Sequence, residues 1–213
     1  MPSYEPAMDA GVLVCGGGST RFGDADKVCA ELAGTPLVRR VAEAVAPVVD
    51  ELVVSCREAQ APAIEAALEG CSRPVSYVFD AREDAGPLHG IERGLETTDA
   101  EFAVVVACDM PFVETEFLRT LFDRARDHEV AIPQQGEGNW YQPLQAVYRV
   151  APMLAAIERA REDGVSRPIE PALNLDAVTV RLEDLPATER TFFNVNTRED
   201  LDEAHEILAA EAE

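Results

Sequence analysis

Short apolar segments alternate along the chain with stretches in which apolar residues recur at helical spacing. The apolar segments predict buried β-strands at residues 11–15, 51–56, 75–79, 102–108, 130–133 and 144–148. The helical spacing predicts one helix beginning at Pro36 and others at residues 59–69, 88–96, 117–125, 151–161 and 198–210. The segment 102–108 is apolar at every position, so we expect it at the centre of a sheet that is covered on both faces.

Strands that alternate with helices favour crossover connections, which build a largely parallel sheet with helices on both faces. We therefore expect an α/β fold in a single domain, with a Rossmann-like, mostly parallel sheet. Ligands bind such sheets beyond the carboxyl ends of the strands, so functional residues should follow the strands directly. Residues 134–142 are the least regular stretch and predict a loop or flap, and residues 1–10 are expected to be disordered.

The charge balance narrows the classes of partner. The 213 residues include 40 acidic residues and 18 Lys plus Arg, which gives a net charge of −22. Such a chain lacks the basic face that nucleic-acid binding requires, and an anionic membrane surface would repel it. The acidic residues are spread along the chain instead of forming a tail, which favours the surface of a halophilic protein.

Cysteine content and apolar runs bear on the cellular compartment. The chain has five cysteines, none in C-x-x-C spacing: Cys15, Cys29, Cys56, Cys71 and Cys108. This pattern favours buried thiols in a reducing cytosol over a zinc site or a disulfide. No apolar run reaches the ~18 residues of a membrane span, and the first ten residues lack the features of a signal peptide. A cytoplasmic location is expected.

A glycine-rich segment follows the first predicted strand. Residues 15–23 read CGGGSTRFG, and Lys27 comes shortly afterwards. Glycines let backbone N–H groups approach phosphate oxygens, and Arg21 and Lys27 add positive charge beside them. A P-loop is excluded because Asp24 follows the second spaced glycine, and a dinucleotide fingerprint is excluded because Arg21 is not small. The segment predicts a triphosphate-binding loop; a glycine turn with solvated charges is the alternative.

Asp109 is the first ionisable residue after the central predicted strand. A buried carboxylate without a partner is costly, whereas Mg²⁺ prefers carboxylate, phosphate and water oxygens. The alternative role, capping the next helix, is disfavoured because that helix starts several residues downstream. We therefore expect Asp109 to bind Mg²⁺ or Mn²⁺. Asp80 and Asp84 follow the third predicted strand, where a carboxylate can accept hydrogen bonds from a ligand; a solvated surface aspartate is an equal alternative.

Four further motifs occur in order along the chain. They are GPLHG at residues 86–90, CDMPF at 108–112, PLQAVY at 143–148 and NVNT at 194–197. Together with the glycine-rich segment, this ordered set resembles the signature of the molybdenum cofactor guanylyltransferases, a family of nucleotidyltransferases. The resemblance extends from about residue 11 to residue 208. Two departures are Phe22, where the family usually has Met, and Ser55, near the position where some members place an Asn close to the guanine.

The resemblance implies one nucleotidyltransferase domain over residues 1–213, similar in fold to the nucleotide-diphospho-sugar transferases. It implies Arg21, Lys27 and Asp109 as catalytic residues, with Asp109 as the magnesium ligand. The residues implied to bind the nucleotide are Val14, Cys15, Gly16, Gly17, Gly18, Ser19, Lys27, Ser55, Asp80 and Asp109. The residues implied to bind the acceptor are Gly86, Pro87, Leu88, Gln145, Asn194 and Asn196.

The NVNT motif allows two interpretations. Asn194 and Asn196 would point to opposite faces of a strand, so we expect only one of them to face the site easily. Thr197 and Asp200 have the spacing of a capping box at the start of a helix. Both interpretations can hold together.

The remaining candidates carry weaker signals. Trp140 and Tyr141 lie in the predicted loop, where they are suited to stack on a flat pterin ring; packing of the loop by Trp140 is the alternative. His89, His128 and His205 have neither triad nor metal-binding spacing, so we expect no catalytic role for them.

The resemblance implies magnesium-dependent transfer of GMP from GTP to the molybdopterin form of the molybdenum cofactor, with release of pyrophosphate. The Gly16-Gly17 pair favours guanine, because cytidylyl members of the wider family usually have Ala-Gly there. The alternatives are cytidylyl transfer to molybdopterin, guanylyl transfer to cobinamide phosphate, and a non-enzymatic nucleotide-binding protein that delivers cofactor. The expected partners are GTP, molybdopterin, a molybdopterin-delivering enzyme and an apo-molybdoenzyme, with no nucleic acid and no membrane.

Overall fold

A seven-stranded sheet lies at the centre of the protein. The computed structural model describes residues 8–15, 27–79, 86–136, 138, 140–185 and 187–211. The strands of the sheet are β1 (Asp9–Val14), β4 (Glu51–Cys56), β5 (Val75–Phe79), β6 (Phe102–Ala107), β7 (Val130–Gln134), β8 (Gln145–Arg149) and β9 (Ala177–Arg181). Between β1 and β4, the two-residue strands β2 (Glu31–Leu32) and β3 (Thr35–Pro36) form a separate antiparallel hairpin.

The strand order across the sheet is β5–β4–β1–β6–β8–β7–β9. Strand β1 pairs in parallel with β4 and β6, β4 with β5, and β7 with β9. Strand β8 is antiparallel to both of its neighbours, β6 and β7. The expected mostly parallel α/β sheet is confirmed. Strand β6 occupies the central position and all of its residues are buried, as its apolar segment predicts.

Helices cover both faces of this sheet. They are α1 (Leu37–Val45), α2 (Ala61–Ala67), α3 (Gly86–Leu95), α4 (Thr115–Ala125), α5 (Val150–Glu162), α6 (Ile169–Leu173) and α7 (Arg198–Glu211). Buried side chains of α1, α2 and α4 form one core layer, and those of α3, α5 and α6 form the other. Along β6, Val104 and Val106 enter the first layer while Ala103 and Val105 enter the second, which is the alternation of a strand buried on both faces.

A third, smaller core packs the end of the chain against the β2–β3 hairpin. Its buried members are Leu32, Leu37, Phe112, Val195 and Ala204. Phe112 follows β6 and Val195 precedes α7, so this core joins the segment after β6 to the segment before α7. Both segments carry candidate site residues.

Helix α3 lies unusually close to β1. A Cβ atom placed on Gly94 would lie 2.2 Å from Cγ1 of Val12, well inside van der Waals contact. Nearer the start of α3, a Cβ on Gly90 would lie 3.0 Å from Cγ1 of Val14. The helix therefore runs against β1 with its first residues beyond the carboxyl end of that strand, and it needs glycine to do so.

Several features differ from the sequence-based expectations. The β2–β3 hairpin, α6 and β9 were not predicted. Residues 9 and 10 belong to β1, where Asp9 is in register with Phe102 and Ala10 with Glu51. The expectation that residues 1–10 are disordered is therefore wrong for these two residues. Residues 1–7 lie outside the described residues. Within the described ranges, no helix is both long and apolar enough to cross a membrane.

Candidate active site

A cavity of about 360 Å³ opens at the carboxyl edge of the parallel strands. Its lining consists of Val14, Cys15, Lys27, Val28, Gln60, Pro87, Ala107, Asp109, Met110, Gln142, Leu144, Asn194 and Asn196. These residues come from the ends of β1 and β6, the short helical turn at Lys27–Cys29, the residue before α2, the start of α3, the segment before β8 and the segment before α7. This is the edge at which open α/β sheets bind ligands. The predicted site residues that the fold brings together here are Val14, Cys15, Lys27, Pro87, Asp109, Asn194 and Asn196.

Asp109 lies in the turn directly after β6. The Cys108 amide donates a hydrogen bond to the Val14 carbonyl at 3.1 Å, which ties this turn to the end of β1. Oδ2 of Asp109 accepts a hydrogen bond of 2.7 Å from Nζ of Lys27. Oδ1 is buried and has no hydrogen-bond partner within the described residues. Because a buried polar atom without a partner is costly, Oδ1 is suited to accept from a further donor or to ligate a cation.

Lys27 joins three separate segments, and it is the only lysine in the chain. Its Nζ donates to Oδ2 of Asp109 and, at 3.1 Å, to Oδ1 of Asn196, and its side chain is only 15% exposed. The Val195 amide donates to the Asp109 carbonyl at 2.9 Å, so the backbone also joins these segments. A lysine ammonium is a compact charge with three donors, two of which are used here. The third is suited to a phosphate oxygen.

The start of α7 holds Asn196 in place. Oδ2 of Asp200 accepts hydrogen bonds of 2.8 Å from the amides of Asn196 and Thr197, and the Asp200 amide donates to Oγ1 of Thr197 at 3.1 Å. The predicted capping box is confirmed. Burial tends to raise the pKa of Asp200, but these amide and hydroxyl donors and the nearby Lys27 outweigh burial and lower the pKa.

Both asparagines of the NVNT motif line the cavity, which corrects the expectation that only one would face it. Residues 193–196 have no regular secondary structure, so the alternation of a strand does not apply to them. The Asn194 side-chain amide donates to the Phe192 carbonyl at 3.4 Å. Asn194 and Asn196 therefore present two amide groups to one ligand space.

Cys15, the first residue of the glycine-rich segment, is held by hydrogen bonds to β4 and to Gln60, which lies between β4 and α2. The Cys15 amide donates to the Ser55 carbonyl at 2.8 Å, and Nε2 of Gln60 donates to the Cys15 carbonyl at 3.4 Å. The Ser55 side chain is buried and does not line the cavity, so the structure gives Ser55 a backbone role and does not support a contact of its hydroxyl with a base. Gln60 was missed in the sequence, because nothing in the alanine-rich pattern around it distinguishes it.

Two residues predicted to bind the acceptor lie inside the core. Gln145 in β8 is fully buried, and its Nε2 donates to the Thr191 carbonyl at 2.6 Å and lies 3.0 Å from the sulfur of Met110. Leu88 packs among the buried residues of α3. Neither lines the cavity, so the expectation of a direct ligand contact is corrected for both. Gln145 instead fixes Met110, which does line it.

The start of α3 supplies one wall of the cavity. Gly86 is the first residue of α3, is exposed, and has a φ of 75°, a conformation that favours glycine. Pro87 follows and lines the cavity. The predicted GPL motif therefore reaches the site through Pro87, while its leucine anchors the helix.

The prediction of buried thiols without a disulfide is wrong for one pair of cysteines. Cys15 and Cys108 are disulfide-bonded, with their Cα atoms 5.2 Å apart. They directly follow Val14 and Ala107, which are in register on the parallel neighbours β1 and β6. A separation of 93 residues along the chain hides this proximity from a sequence-based argument.

The predicted loop between β7 and β8 is confirmed. The Gln135 amide donates to the Trp140 carbonyl at 2.9 Å, and Gln134 forms an isolated bridge with Tyr141. The Trp140 side chain is 74% exposed, which contradicts the alternative that it packs the loop against the core. Stacking of Trp140 on a flat ring stays a prediction.

The remaining predicted site residues lie outside the described residues, so their roles stay predictions: Gly16, Gly17, Gly18, Ser19, Arg21 and Asp80. In the part of the chain that the structure describes, no group of three or more His, Cys, Asp or Glu side chains could hold a metal ion. A cation at Asp109 would therefore take most of its ligands from phosphates and water, as Mg²⁺ commonly does.

Comparison with known sequences agrees with this arrangement. Residues 11–178 match the family model of the MobA-like NTP transferase domain. A probable molybdenum cofactor guanylyltransferase of Natronomonas pharaonis is 44% identical over 201 residues, covering 93% of this chain and 98% of the relative. A probable molybdenum cofactor guanylyltransferase of Methanosarcina acetivorans is 36% identical over 197 residues, covering 90% of this chain and 87% of the relative.

Solved structures share the architecture. The crystal structure of molybdopterin-guanine dinucleotide biosynthesis protein A from Archaeoglobus fulgidus aligns with a TM-score of 0.73 at 28% identity, covering 95% of this chain and 100% of that one. 4-Diphosphocytidyl-2C-methyl-D-erythritol synthase from Anaerococcus prevotii aligns with a TM-score of 0.78 over 96% of this chain and 100% of that one. At 14% identity the second likeness shows the fold alone.

The mostly parallel sheet and the cavity at its carboxyl edge define a nucleotidyltransferase of the α/β class. Within that class, the chain belongs to the MobA-like NTP transferase family.

Proposed function

We propose that this protein transfers the GMP group of GTP to the phosphate of molybdopterin in the molybdenum cofactor, releasing pyrophosphate and forming the guanine dinucleotide cofactor. The observation that carries the proposal is the convergence of Lys27, Asp109 and Asn196 in one cavity at the carboxyl edge of the sheet. The names of the Natronomonas and Methanosarcina relatives support guanine as the base and the molybdenum cofactor as the acceptor.

The residues present fit a magnesium ion bound together with nucleotide phosphates. Asp109 offers one buried carboxylate oxygen that has no protein donor within the described residues. A single carboxylate plus phosphate and water oxygens is the ligand set that Mg²⁺ commonly takes, and Mn²⁺ accepts the same donors. When bound, the ion supplies positive charge that offsets the negative charge developing on the transferred phosphoryl group.

Lys27 binds and orients the phosphates in this proposal. Its ammonium donates to Asp109 and Asn196, and the donor that neither of these two described residues takes is proposed to bind a phosphate oxygen. The glycine-rich residues 16–18 and Arg21 are proposed to surround the same phosphates with backbone N–H groups and a second cation. Because the chain is strongly acidic overall, these two cations matter for attracting a triphosphate at all.

The acceptor is proposed to lie on the side of the cavity formed by Pro87, Asn194 and Asn196. Its phosphate attacks the α-phosphorus of GTP, the new P–O bond forms, and pyrophosphate leaves with the electrons of the broken bond. A phosphate monoester is already mostly ionised at neutral pH, so no protein base has to remove a proton. Catalysis then depends on positioning and charge neutralisation.

The cellular setting belongs to the same proposal. A protein that handles GTP and molybdopterin is proposed to act in the cytoplasm. There it would receive molybdopterin from a delivering enzyme and pass the product to an apo-molybdoenzyme.

The test is a turnover assay with molybdopterin and each of the four nucleoside triphosphates in molar KCl. Pyrophosphate release and the mass of the dinucleotide product are measured together. We expect GTP to be used far better than CTP. Equal or better use of CTP would assign the protein to cytidylyl transfer. Turnover with cobinamide phosphate but not with molybdopterin would assign cobinamide phosphate as the acceptor. GTP binding without any pyrophosphate release would favour a nucleotide-binding protein that delivers cofactor.

A further inference from the structure

The pair Cys15 and Cys108 lies directly beneath the proposed site. The two residues extend neighbouring parallel strands by one position each, beyond the register pair Val14 and Ala107. Their Cα separation of 5.2 Å lies within the range that disulfides adopt without backbone movement. Strand pairing therefore places the two sulfurs together whether or not they are bonded.

The two cysteines differ in their access to solvent. Cys15 lines the cavity, whereas Cys108 is fully buried and does not. Both side chains belong to the core layer that includes Val28 and Phe117. A reagent entering the cavity would therefore reach Cys15 before Cys108.

Each cysteine also precedes a residue or segment that the proposed mechanism uses. Cys15 is the first residue of the glycine-rich segment, and Cys108 directly precedes Asp109. Without a covalent bond, hydrogen bonds from the Cys15 amide to Ser55 and from the Cys108 amide to Val14 hold the two strand ends. A disulfide adds a fixed link between them.

We infer that Cys15 and Cys108 are a thiol–disulfide modification site, at which the oxidised form pre-organises the cavity for a nucleotide. The inference that the disulfide forms depends on the strand geometry alone, whereas the inference that it tightens GTP binding rests on the proposed function. Because pre-organisation lowers the entropy cost of binding, the oxidised protein binds the nucleotide more tightly than the reduced protein.

The reaction partner is a low-molecular-weight disulfide. The Cys15 thiolate attacks one of its sulfurs, which forms a mixed disulfide and releases one thiolate. The Cys108 thiolate then attacks the Cys15 sulfur, which forms the protein disulfide and releases the second thiolate. Two protein thiols are oxidised, one small disulfide is reduced to two thiols, and the two protons pass to the released thiolates. A dithiol reverses the sequence.

The first measurement is peptide mapping of the full-length protein after treatment with oxidised glutathione. Cleavage at arginine and lysine gives peptides 1–21 and 94–119, each with a single cysteine, so their cross-linked mass identifies the pair without ambiguity. We expect this cross-link in the oxidised protein and its loss after dithiothreitol. Absence of the cross-link from the folded, oxidised protein would overturn the inference.

The second measurement is equilibrium dialysis with labelled GTP, without any acceptor, on oxidised and reduced protein. We expect the Kd for GTP to be about threefold or more higher in the reduced form. The variant Cys108→Ala should abolish this response, whereas the control Cys71→Ser should keep it. A confirmed cross-link with the same Kd in both forms would overturn the functional part.

Failure of the proposed function is distinguishable from failure of this inference. If the protein transfers another nucleotide, the peptide map is unaffected and the dialysis is repeated with that nucleotide. The thermal midpoint provides a readout independent of any ligand. Reduction should lower the Tm on the order of 10 °C, because a link closing a long loop restricts the unfolded chain. A cross-link found in the peptide map together with an unchanged Tm would overturn the expectation that the bond stabilises the folded protein.

Discussion

The Lys27 ammonium lies 2.7 Å from the Asp109 carboxylate and also donates to Oδ1 of Asn196 at 3.1 Å. One cation therefore links residues that are 82 and 169 positions away in the chain. The carboxylate uses one oxygen for this pair and keeps the other buried and unpaired within the described residues. The two residues are thus neighbours with different tasks, and their variants should fail in different ways.

Substitution Asp109→Asn should lower kcat by about 100-fold or more, because it removes the charge that holds a hard cation while preserving shape. The KM for GTP should change much less, since the lost interaction acts mainly in the transition state. Steady-state kinetics as a function of Mg²⁺ concentration tests this, with Asp163→Asn, an exposed residue after α5, as the control. A near-normal kcat with unchanged Mg²⁺ dependence would refute the metal assignment.

Substitution Lys27→Ala should raise the KM for GTP and also lower kcat, because a phosphate contact acts in both the ground state and the transition state. Lys27→Arg should rescue poorly, since a planar guanidinium does not reproduce a compact ammonium between two fixed oxygens. Steady-state kinetics on both variants measure these changes in KM and kcat, after circular dichroism has verified that each variant is folded. Full rescue by arginine would show that only the charge matters.

The single lysine offers a direct probe of occupancy. Reductive labelling with an aldehyde should modify Lys27 and the terminal amine only, so a peptide map isolates the Lys27 signal. Saturating GTP with Mg²⁺ should slow labelling of Lys27 and leave the terminal amine unaffected. If Lys27 reacts equally fast with and without nucleotide, it is not a phosphate ligand.

Asp200 makes stability depend on pH. Its pKa is lowered in the folded protein, so the stability it contributes is present above the unfolded pKa of about 4 and is lost as pH falls through the folded pKa. Asp200→Asn should therefore cost about 1 kcal/mol at pH 7, and its difference from the parent should shrink below pH 4. Urea unfolding followed by circular dichroism measures this, with Asp202→Asn on the same helix as the control. A difference that is independent of pH would show that charge plays no part in the cap.

The net charge of −22 predicts that KCl stabilises the protein into the molar range, because screening relieves repulsion among the carboxylates. The Tm should rise with KCl and should rise less with a nonionic osmolyte of equal osmolality. Circular dichroism is the suitable readout, since Trp140, the only tryptophan, is already exposed in the folded protein. Full stability in dilute buffer, without further gain from salt, would contradict the halophilic interpretation.

Hydrophobic pattern was sufficient to locate most of the sheet. The segments that became β4 and β6 are apolar enough to be buried on both faces. The position of β4, β5 and β6 one after another between helices indicated parallel neighbours. The hydrophobic pattern does not specify the direction in which each strand runs. A period-two or all-apolar pattern reads the same in a parallel and an antiparallel strand, so the reversal at β8 could not be inferred.

The site was predictable where a residue directly follows a strand and carries a charge, as Asp109 does. A polar residue inside a strand was misread: the resemblance implied that Gln145 of the PLQAVY motif binds the acceptor, but its side-chain amide donates to the Thr191 carbonyl inside the core. The Cys15–Cys108 link and the contact of Gln60 with Cys15 depend on which elements become neighbours, which no local pattern specifies.

The reversal of β8 has a consequence for how this scaffold accommodates change. Because β8 is antiparallel to β7 and β6, the connection between β7 and β8 both leaves and re-enters the sheet at the edge where the cavity opens. Gln142 and Leu144 from this connection line the cavity, whereas Gln134 at the end of β7 forms an isolated antiparallel bridge with Tyr141. The connection can therefore be lengthened, shortened or exchanged without altering the register of either strand. Under the proposed function, it is the place at which a different acceptor preference could be introduced while the proposed nucleotide-binding residues stay unchanged.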